Sequence, residues 1–360
     1  MRRIQFIHQH DQWPDLQYNC GKLTGLIERV SFLQGQLHGR MESYSPELRK
    51  QAIINALSSE TMASCAIEDT HFDYTEIESA IARSLRIRLP EMVASSGMAK
   101  GAAEAIIAGI SNYDKKLTAD TLFQWQARLY PGISSLQTGA WRNAGLEIRD
   151  KSGLRSRFIA PSPGVLPAEM KKWLVWMNQD RHESKLIKSA IAPFWFLTLH
   201  PFADGNGLIS RIISLMIITS SENGLPRYYA PSIQLLKEKD AYFQLLESSQ
   251  KGNLDITEWI QWYLGILEKS ILEIKSTQTG VIARQKLEDK IAALGLTGRQ
   301  KTVLRKMAAR EKSQFTSNDW ALAGGYSNDT ALREIRALLN LRILQKLPGG
   351  GRSTRYRISL

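Results

Sequence analysis

Residues 200–207, HPFADGNG, separate two apolar runs, IAPFWFLTL (191–199) and LISRIISLMII (208–218). The second run repeats apolar residues at helical spacing, and the first is apolar enough to be buried on every side. The octet therefore reads as a loop held between two buried helices. Loops fixed between rigid elements are where chemistry concentrates. This predicts a mainly α-helical architecture built around residues 185–222.

The octet itself is rich in functional groups. Consecutive backbone N–H groups in a Gly-Asn-Gly turn (Gly205, Asn206, Gly207) that opens a helix form an anion nest, reinforced by the helix N-terminal partial charge. Glycine allows the tight turn and close ligand approach. Asp204, beside the nest, can hold Mg²⁺ together with phosphate oxygens. His200 has an unperturbed pKa near ~6.5, suited to taking a hydroxyl proton. Arg211, one turn into the helix, can reach the far end of a polyphosphate. The constellation points to nucleotide binding with a general base. Gly-Asn-Gly alone would equally suit a helix cap beside a buried histidine.

Working outward, residues 22–42 and 45–69 read as helices. In the second, Leu48, Ala52, Ile53, Ala56 and Leu57 share a face, and Ser45-Pro46 supplies an N-cap and a first-turn proline. A helix from Tyr74 to Leu85 precedes a soft joint near Pro90. Two helices fit 98–130, and others fit 167–178, 185–199, 207–222, 236–250 and 255–275. Between them, GAWRNAGLEIRDKSGLRSRFIAPSPGV (139–165) holds two short extended runs around Asp150-Lys151-Ser152-Gly153, a hairpin turn. The polar segment EIKSTQTGVIARQ fits a long helix or a linker. From Leu296 onward the order is helix, helix, helix, hairpin, as in a winged helix-turn-helix, with Ser327 or Asp329 capping the third helix.

Composition bounds the class. The chain has 360 residues, 43% hydrophobic and 23% charged, enough for two or three domains with a substantial core. No apolar run approaches the ~20 residues of a membrane span. Cys20 and Cys65 form neither a metal-ligand spacing nor a disulfide framework, which fits a reducing, cytoplasmic setting. The net charge is +12, and it is unevenly placed. Residues 281–360 hold 16 Lys+Arg against 6 Asp+Glu, a balance of +10, so the other 280 residues carry only +2. Such a tail favours an anionic partner such as duplex DNA, or simply solubility.

The octet and the first turn of the run after it resemble the Fic family signature H-x-F-x-[D/E]-G-N-G-R-x-x-R. His200, Phe202, Asp204, Gly205, Asn206, Gly207 and Arg211 match, and Leu208 stands where the family has arginine. HQHDQWPDLQYNCGKL (8–23) resembles the opening of a Fic-associated N-terminal helical domain. SCAIED (64–69) resembles the inhibitory motif [S/T]-x-x-x-E-[G/N], with Ser64 and Glu68 in place and Asp69 for the usual Gly or Asn. DAYFQLLESSQKGNLDITEWIQWYL (240–264) resembles segments found after the Fic motif. The resemblance implies three parts: an N-terminal helical domain (1–95), a Fic core with a β-hairpin flap (96–280) and a C-terminal winged helix (281–360).

It also implies an activity, transfer of AMP from ATP to a Ser, Thr or Tyr hydroxyl of a target protein. His200 would be the base, Asp204 the Mg²⁺ ligand, and Gly205, Asn206 and Gly207 the anion hole. Arg211 would meet the γ-phosphate, and the hairpin would align the target segment by strand addition. Tyr242 and Phe243 would lie near the adenine, or form ordinary helix core. Glu68 would pair with Arg211 and hold the enzyme off, or be a solvated surface glutamate. Two departures stand out. Leu208 cannot supply the family arginine's phosphate contact, a loss of ~1.5–3 kcal/mol, so restoring arginine is expected to raise transfer. Pro193 stands where relatives often have histidine. The resemblance therefore leaves two further readings: a degenerate Fic protein that senses nucleotide and binds DNA, or a hydrolase that removes AMP. A homodimer is compatible with either.

Overall fold

The computed structural model of the chain describes residues 6–89, 91–149, 156–179, 184–308, 314–348 and 354–358. Pro90, the hairpin tip at 150–153 and the Gly-rich turn at 349–353 with Arg352 fall outside them. The chain forms two compact units, 1–274 and 275–360.

In the first unit, a 3-10 turn (Ile7–Gln9) leads to α1 (Cys20–Glu42), α2 (Pro46–Ile67), α3 (Tyr74–Ser84), α4 (Gly97–Ser111) and α5 (Ala119–Leu129). A hairpin of β1 (Glu147–Arg149) and β2 (Ser156–Ile159) comes next. Then come α6 (Leu166–Met177), α7 (Lys185–Leu199), α8 (Asn206–Ser221), α9 (Pro231–Lys237), α10 (Lys239–Lys251) and the first part of α11 (Thr257–Ala293), whose residues from 275 onward belong to the second unit. The two runs flanking the octet are α7 and α8, and every residue from Ser189 to Leu199 is buried. Phe194, Phe196 and Phe202 are fully buried here, each contributing about 1.5–3 kcal/mol relative to exposure. α4 closes against α8 at Gly109, where a Cβ would lie 2.4 Å from Ile212.

Pro193 sits inside α7, where a proline removes an N–H and frees the carbonyl four residues earlier. That carbonyl, on Ser189, accepts from Ser214 Oγ of α8 at 2.9 Å. The Ser214 hydroxyl is also hydrogen-bonded to Tyr263 of α11. The indole of Trp259 donates to Ala190 O (2.9 Å), and that of Trp173 donates to Ala192 O (3.2 Å). Neighbouring helices thus satisfy the carbonyls around the proline.

Ser45 caps α2 by accepting from Leu48 N, with Pro46 at its first position, as the Ser-Pro pair predicts. α2 and α3 pack on the same apolar core as α4 to α8. The helix expected over 236–250 is α10; the short α9 that precedes it, meeting it at Glu238, is not anticipated by the sequence pattern. Seven residues hold too few turns for a clear period. α9 lacks a local cap, and its Ser232 N–H donates instead to Glu60 of α2 at 3.0 Å. The EIKSTQTGVIARQ segment is helical backbone within α11.

In the second unit lie α12 (Gly298–Ala308), β3 (Gln314–Phe315), α13 (Ser317–Gly324), α14 (Asn328–Asn340), β4 (Leu344–Lys346) and β5 (Tyr356–Ile358). The sequence predicts three helices and a hairpin; β3 adds a third, two-residue strand, giving an antiparallel sheet in the order β3-β5-β4. Leu304, Trp320, Ile335, Leu338 and Ile343 form its core. Ser327, rather than Asp329, caps α14 by accepting from Thr330 N.

Candidate functional site

α7 ends at Leu199, and His200 takes the left-handed conformation (φ 47°) with its N–H on Phe196 O. Its Nδ1 lies 3.3 Å from Leu197 O. A carbonyl only accepts, so the proton sits on Nδ1 and Nε2 keeps its lone pair. Burial pushes the imidazole pKa down to about 4, leaving a neutral base across the physiological range. Arg142, buried, donates through Nε to His200 O at 2.8 Å. The sequence pattern does not single out Arg142, which lies far outside the octet.

The turn after His200 is held by Asn206. Its Oδ1 accepts from Phe202 N (2.9 Å) and its Nδ2 donates to Phe202 O (2.8 Å). The Asn206 side chain is thus committed to the loop, and only its backbone can serve a ligand. Gly205 has φ +85° with the Tyr130 and Leu129 side chains close by; a side chain there would be strained. Asp204 accepts from Gly205 N at 2.7 Å and from the Tyr130 hydroxyl, whose pKa is raised by burial and by that carboxylate. Tyr130 is a second site residue that the sequence pattern does not mark.

Arg211 is buried, and the N-terminal helices reach it. Its Nε donates to Ser64 Oγ (2.7 Å), and one terminal nitrogen donates to Ser64 O (2.8 Å) and pairs with Glu68 at 2.9 Å. Glu68 is the C-cap of α2. A Cβ on Gly207 would lie 1.9 Å from Glu68 Oε1, so the carboxylate sits directly on the N-terminal turn of α8, where a ligand anion would bind. The other terminal nitrogen of Arg211 has no hydrogen-bond partner among the described residues. Asp69 adopts φ 56°, a left-handed position that Asp tolerates better than most residues, and pairs with Lys239 of α10 at 2.6 Å.

These residues surround a cavity of about 240 Å³ lined by Glu68, His200, Asp204, Gly205, Asn206, Gly207, Tyr242 and Phe243, with Ile148, Arg157 and Phe158 of the hairpin. That volume is below the ~300–1,000 Å³ common for ligand pockets, as expected if Glu68 fills one end. Tyr242 is buried and stacks on Trp262. Burial pushes its hydroxyl pKa up to about 12. Arg157 approaches Glu247 of α10 at 3.8 Å across the cavity. Leu208 does not line it; it is buried in the apolar core. A larger cleft, about 770 Å³, lies between residues 14–18 and α6. It offers Asp15 and two lysines but no nest and no histidine, so size does not select the site.

No cluster of three His, Cys, Asp or Glu side chains able to hold a metal occurs among the described residues. Within the octet, Asp204 is the single carboxylate beside the anion nest. That donor set fits Mg²⁺ held by one carboxylate with substrate phosphates, and does not fit an all-protein cage. No described helix is long and apolar enough to cross a membrane.

Residues 116–218 match the Fic/DOC family model, and residues 6–87 match a domain of unknown function, DUF4172. The protein adenylyltransferase Fic of Drosophila grimshawi is 21% identical over 158 residues, 43% of this chain and 30% of that protein. That of Drosophila melanogaster is 28% identical over 116 residues, 31% of this chain and 22% of that protein. The chain thus spans less than a third of the length of these relatives. A Fic family protein from Desulfovibrio desulfuricans G20 superposes with a TM-score of 0.54 at 20% identity, covering 92% of this chain and 95% of that one. A Fic domain containing signaling protein from Bacteroides thetaiotaomicron gives 0.53 at 16% identity, over 71% of this chain and 97% of that one. At these identities the likeness concerns the fold. The His200 turn, the Gly-Asn-Gly nest and Arg211 all lie within residues 116–218, the segment that carries the Fic/DOC family domain.

Proposed function

We propose that the chain is a protein adenylyltransferase that transfers AMP from ATP to a Ser, Thr or Tyr hydroxyl of a target protein and is held in check by Glu68. The observation that carries this reading is the position of Glu68: it pairs with Arg211 at 2.9 Å and rests on Gly207. A carboxylate there stands in for a terminal phosphate, bonded to the same arginine and the same helix end. The names of the Drosophila relatives support the reaction class.

In this reading His200 Nε2 takes the proton of the acceptor hydroxyl, whose oxygen attacks the α-phosphorus. The bond to the β-phosphate bridging oxygen breaks and pyrophosphate leaves. The backbone N–H groups of Gly205, Asn206 and Gly207 and the guanidinium of Arg211 bind the phosphates and offset developing charge, which is most of what phosphoryl chemistry asks of a protein. Asp204 would hold Mg²⁺, which when bound neutralises phosphate charge. Tyr242 and Phe243 close the nucleotide end, Ser64 holds Arg211 in the inhibited state, and the β1–β2 hairpin offers its edge to the target segment.

The test compares the parent, Glu68→Gly and Glu68→Gly/His200→Ala, each with α-labelled ATP and Mg²⁺. Glu68→Gly is expected to label itself or lysate proteins. The double variant should bind ATP with similar affinity and transfer nothing. Equal transfer with and without His200 would remove it as the base. A second reading is favoured by Leu208 and by the basic residues 281–360: the chain would bind nucleotide without transferring AMP and act as a DNA-binding regulator. ATP binding without label in Glu68→Gly would favour it.

A further inference from the structure

Arg142 is 4% exposed, and among the described residues none of its hydrogen bonds goes to a carboxylate. An arginine taken out of water without an anionic partner is costly. Here the compensation is a set of backbone carbonyls. Nε donates to His200 O at 2.8 Å. One terminal nitrogen donates to Ala144 O at 2.8 Å. The other donates to Pro161 O at 2.5 Å and, more weakly, to Leu199 O at 3.4 Å. The Arg142 N–H completes the set by donating to Pro201 O at 2.9 Å.

These carbonyls belong to two places. Leu199 and His200 form the C-terminal end of α7, where unpaired carbonyls carry negative partial charge that a cation stabilises. Ala144 and Pro161 lie at the two feet of the hairpin, just outside the Ala160 N to Leu146 O bond (3.0 Å) that closes it. The planar guanidinium therefore ties the turn bearing His200 to the hairpin that lines the same cavity. His200 also needs such support: it holds φ 47°, a conformation that costs a non-glycine residue roughly 1–2 kcal/mol.

We infer that Arg142 is the positioning residue for His200: its guanidinium locks the end of α7 and the foot of the β1–β2 hairpin into one rigid body, setting the distance between the imidazole and whatever the hairpin presents. This rests on the reading of His200 as the base. Lysine at 142 keeps the cation but can reach only some of the carbonyls, so the turn and the hairpin foot separate. Misplacement of about 1 Å at a reacting group can cost on the order of 100-fold in rate. The phosphate nest and Arg211 are not bonded to Arg142, so ATP binding is spared.

The test uses the full chain with Glu68→Gly, alone and combined with Arg142→Lys, Arg142→Gln or His200→Ala. ATP affinity, the rate of AMP transfer and the tautomer of the His200 ring, by ¹⁵N NMR, are measured in each. The expected result for Arg142→Lys is a kcat lowered on the order of 100-fold with ATP affinity within about twofold. The His200 ring should then change from a single Nδ1–H form to a mixture. Arg142→Gln, which keeps two donors without charge, takes its place if the lysine variant does not fold. Unchanged kcat and tautomer in a folded variant would overturn the proposal. So would a parallel loss of ATP affinity and kcat with the tautomer intact, which marks a merely structural role. If His200→Ala retains full transfer, the base assignment fails. The ring tautomer then still decides whether Arg142 orients His200, and it decides equally where transfer is undetectable.

Discussion

At the scale of single residues, two positions separate the expected from the observed. Glu68 holds a buried arginine but is itself 40% exposed, so its hold is modest: a hydrogen bond to a charged group is worth ~1.5–3 kcal/mol at most. Glu68→Gly is therefore expected to raise ATP affinity and self-modification by about 10- to 100-fold, read by calorimetry and label incorporation. No gain in either would leave SCAIED as a helix end. Leu208 behaves differently from its sequence expectation. It is 6% exposed in the apolar core, so Leu208→Arg buries a charge instead of restoring a phosphate contact. Added to Glu68→Gly it should give no further transfer and lower stability by about 3–5 kcal/mol, visible as a drop in Tm. His8 and His200 are both pushed down to about 4, chiefly by burial. Below pH 6.5 the unfolded chain takes up protons that the native state refuses, so stability is full above that value and falls as pH drops toward 4. His8 packs against Phe6 and Phe158 with its Nδ1 unpartnered among the described residues. His8→Phe should remove its share of that loss. Its Tm advantage over the parent should then grow by a few degrees between pH 8 and pH 5, and a constant difference would argue against titration.

At the scale of elements, legibility tracks the range of the forces. α7 and α8 are plain because their apolar runs are long, and the octet between them because glycines, Asp204 and His200 crowd into eight positions. Helix starts at Ser45 and Ser327 are readable because a cap is a local bond. α9 is not, since its N-terminal N–H is met by Glu60, 172 residues away in sequence. β3 escapes because two residues carry no alternation; only pairing with β5 defines it. The same split runs through the site. Ser64, Glu68 and Arg211 can be matched to a known pattern. Arg142 and Tyr130 cannot: nothing near Arg142 in sequence announces that its partners are the carbonyls of His200 and Pro161. The packing of Phe158 beneath the hairpin depends likewise on Phe6 from the far N-terminus, with ring centroids 5.2 Å apart. The one local signal is an arginine set among small and apolar residues, GAWRNAG, on the approach to a hairpin.

At the scale of the whole molecule, the charge asymmetry asks what the second unit meets. Residues 281–360 carry 16 Lys+Arg against 6 Asp+Glu. α14 turns Ala331, Ile335 and Leu338 into that unit's core and leaves Arg333, Arg336 and Asn340 on its outer side. One helix thus has an apolar face fixed to the unit and an outer face with two guanidiniums one turn apart. Such a face suits the edges of bases in a major groove, where arginine bonds to guanine. Arg355, exposed near β5, suits a phosphate. The full chain is therefore expected to bind duplex DNA, with affinity falling steeply as salt rises because counterions are released. Arg355→Ala should weaken binding to all sequences and reduce the salt slope by about 1. Arg333→Ala with Arg336→Ala should cost about 1–3 kcal/mol for each guanidinium that had read a base, and should blur sequence preference. Gel-shift titrations over a salt series measure both effects. If the unit instead serves a protein contact, the chain will show no shift at low salt, and the arginine variants will differ from the parent only in solubility.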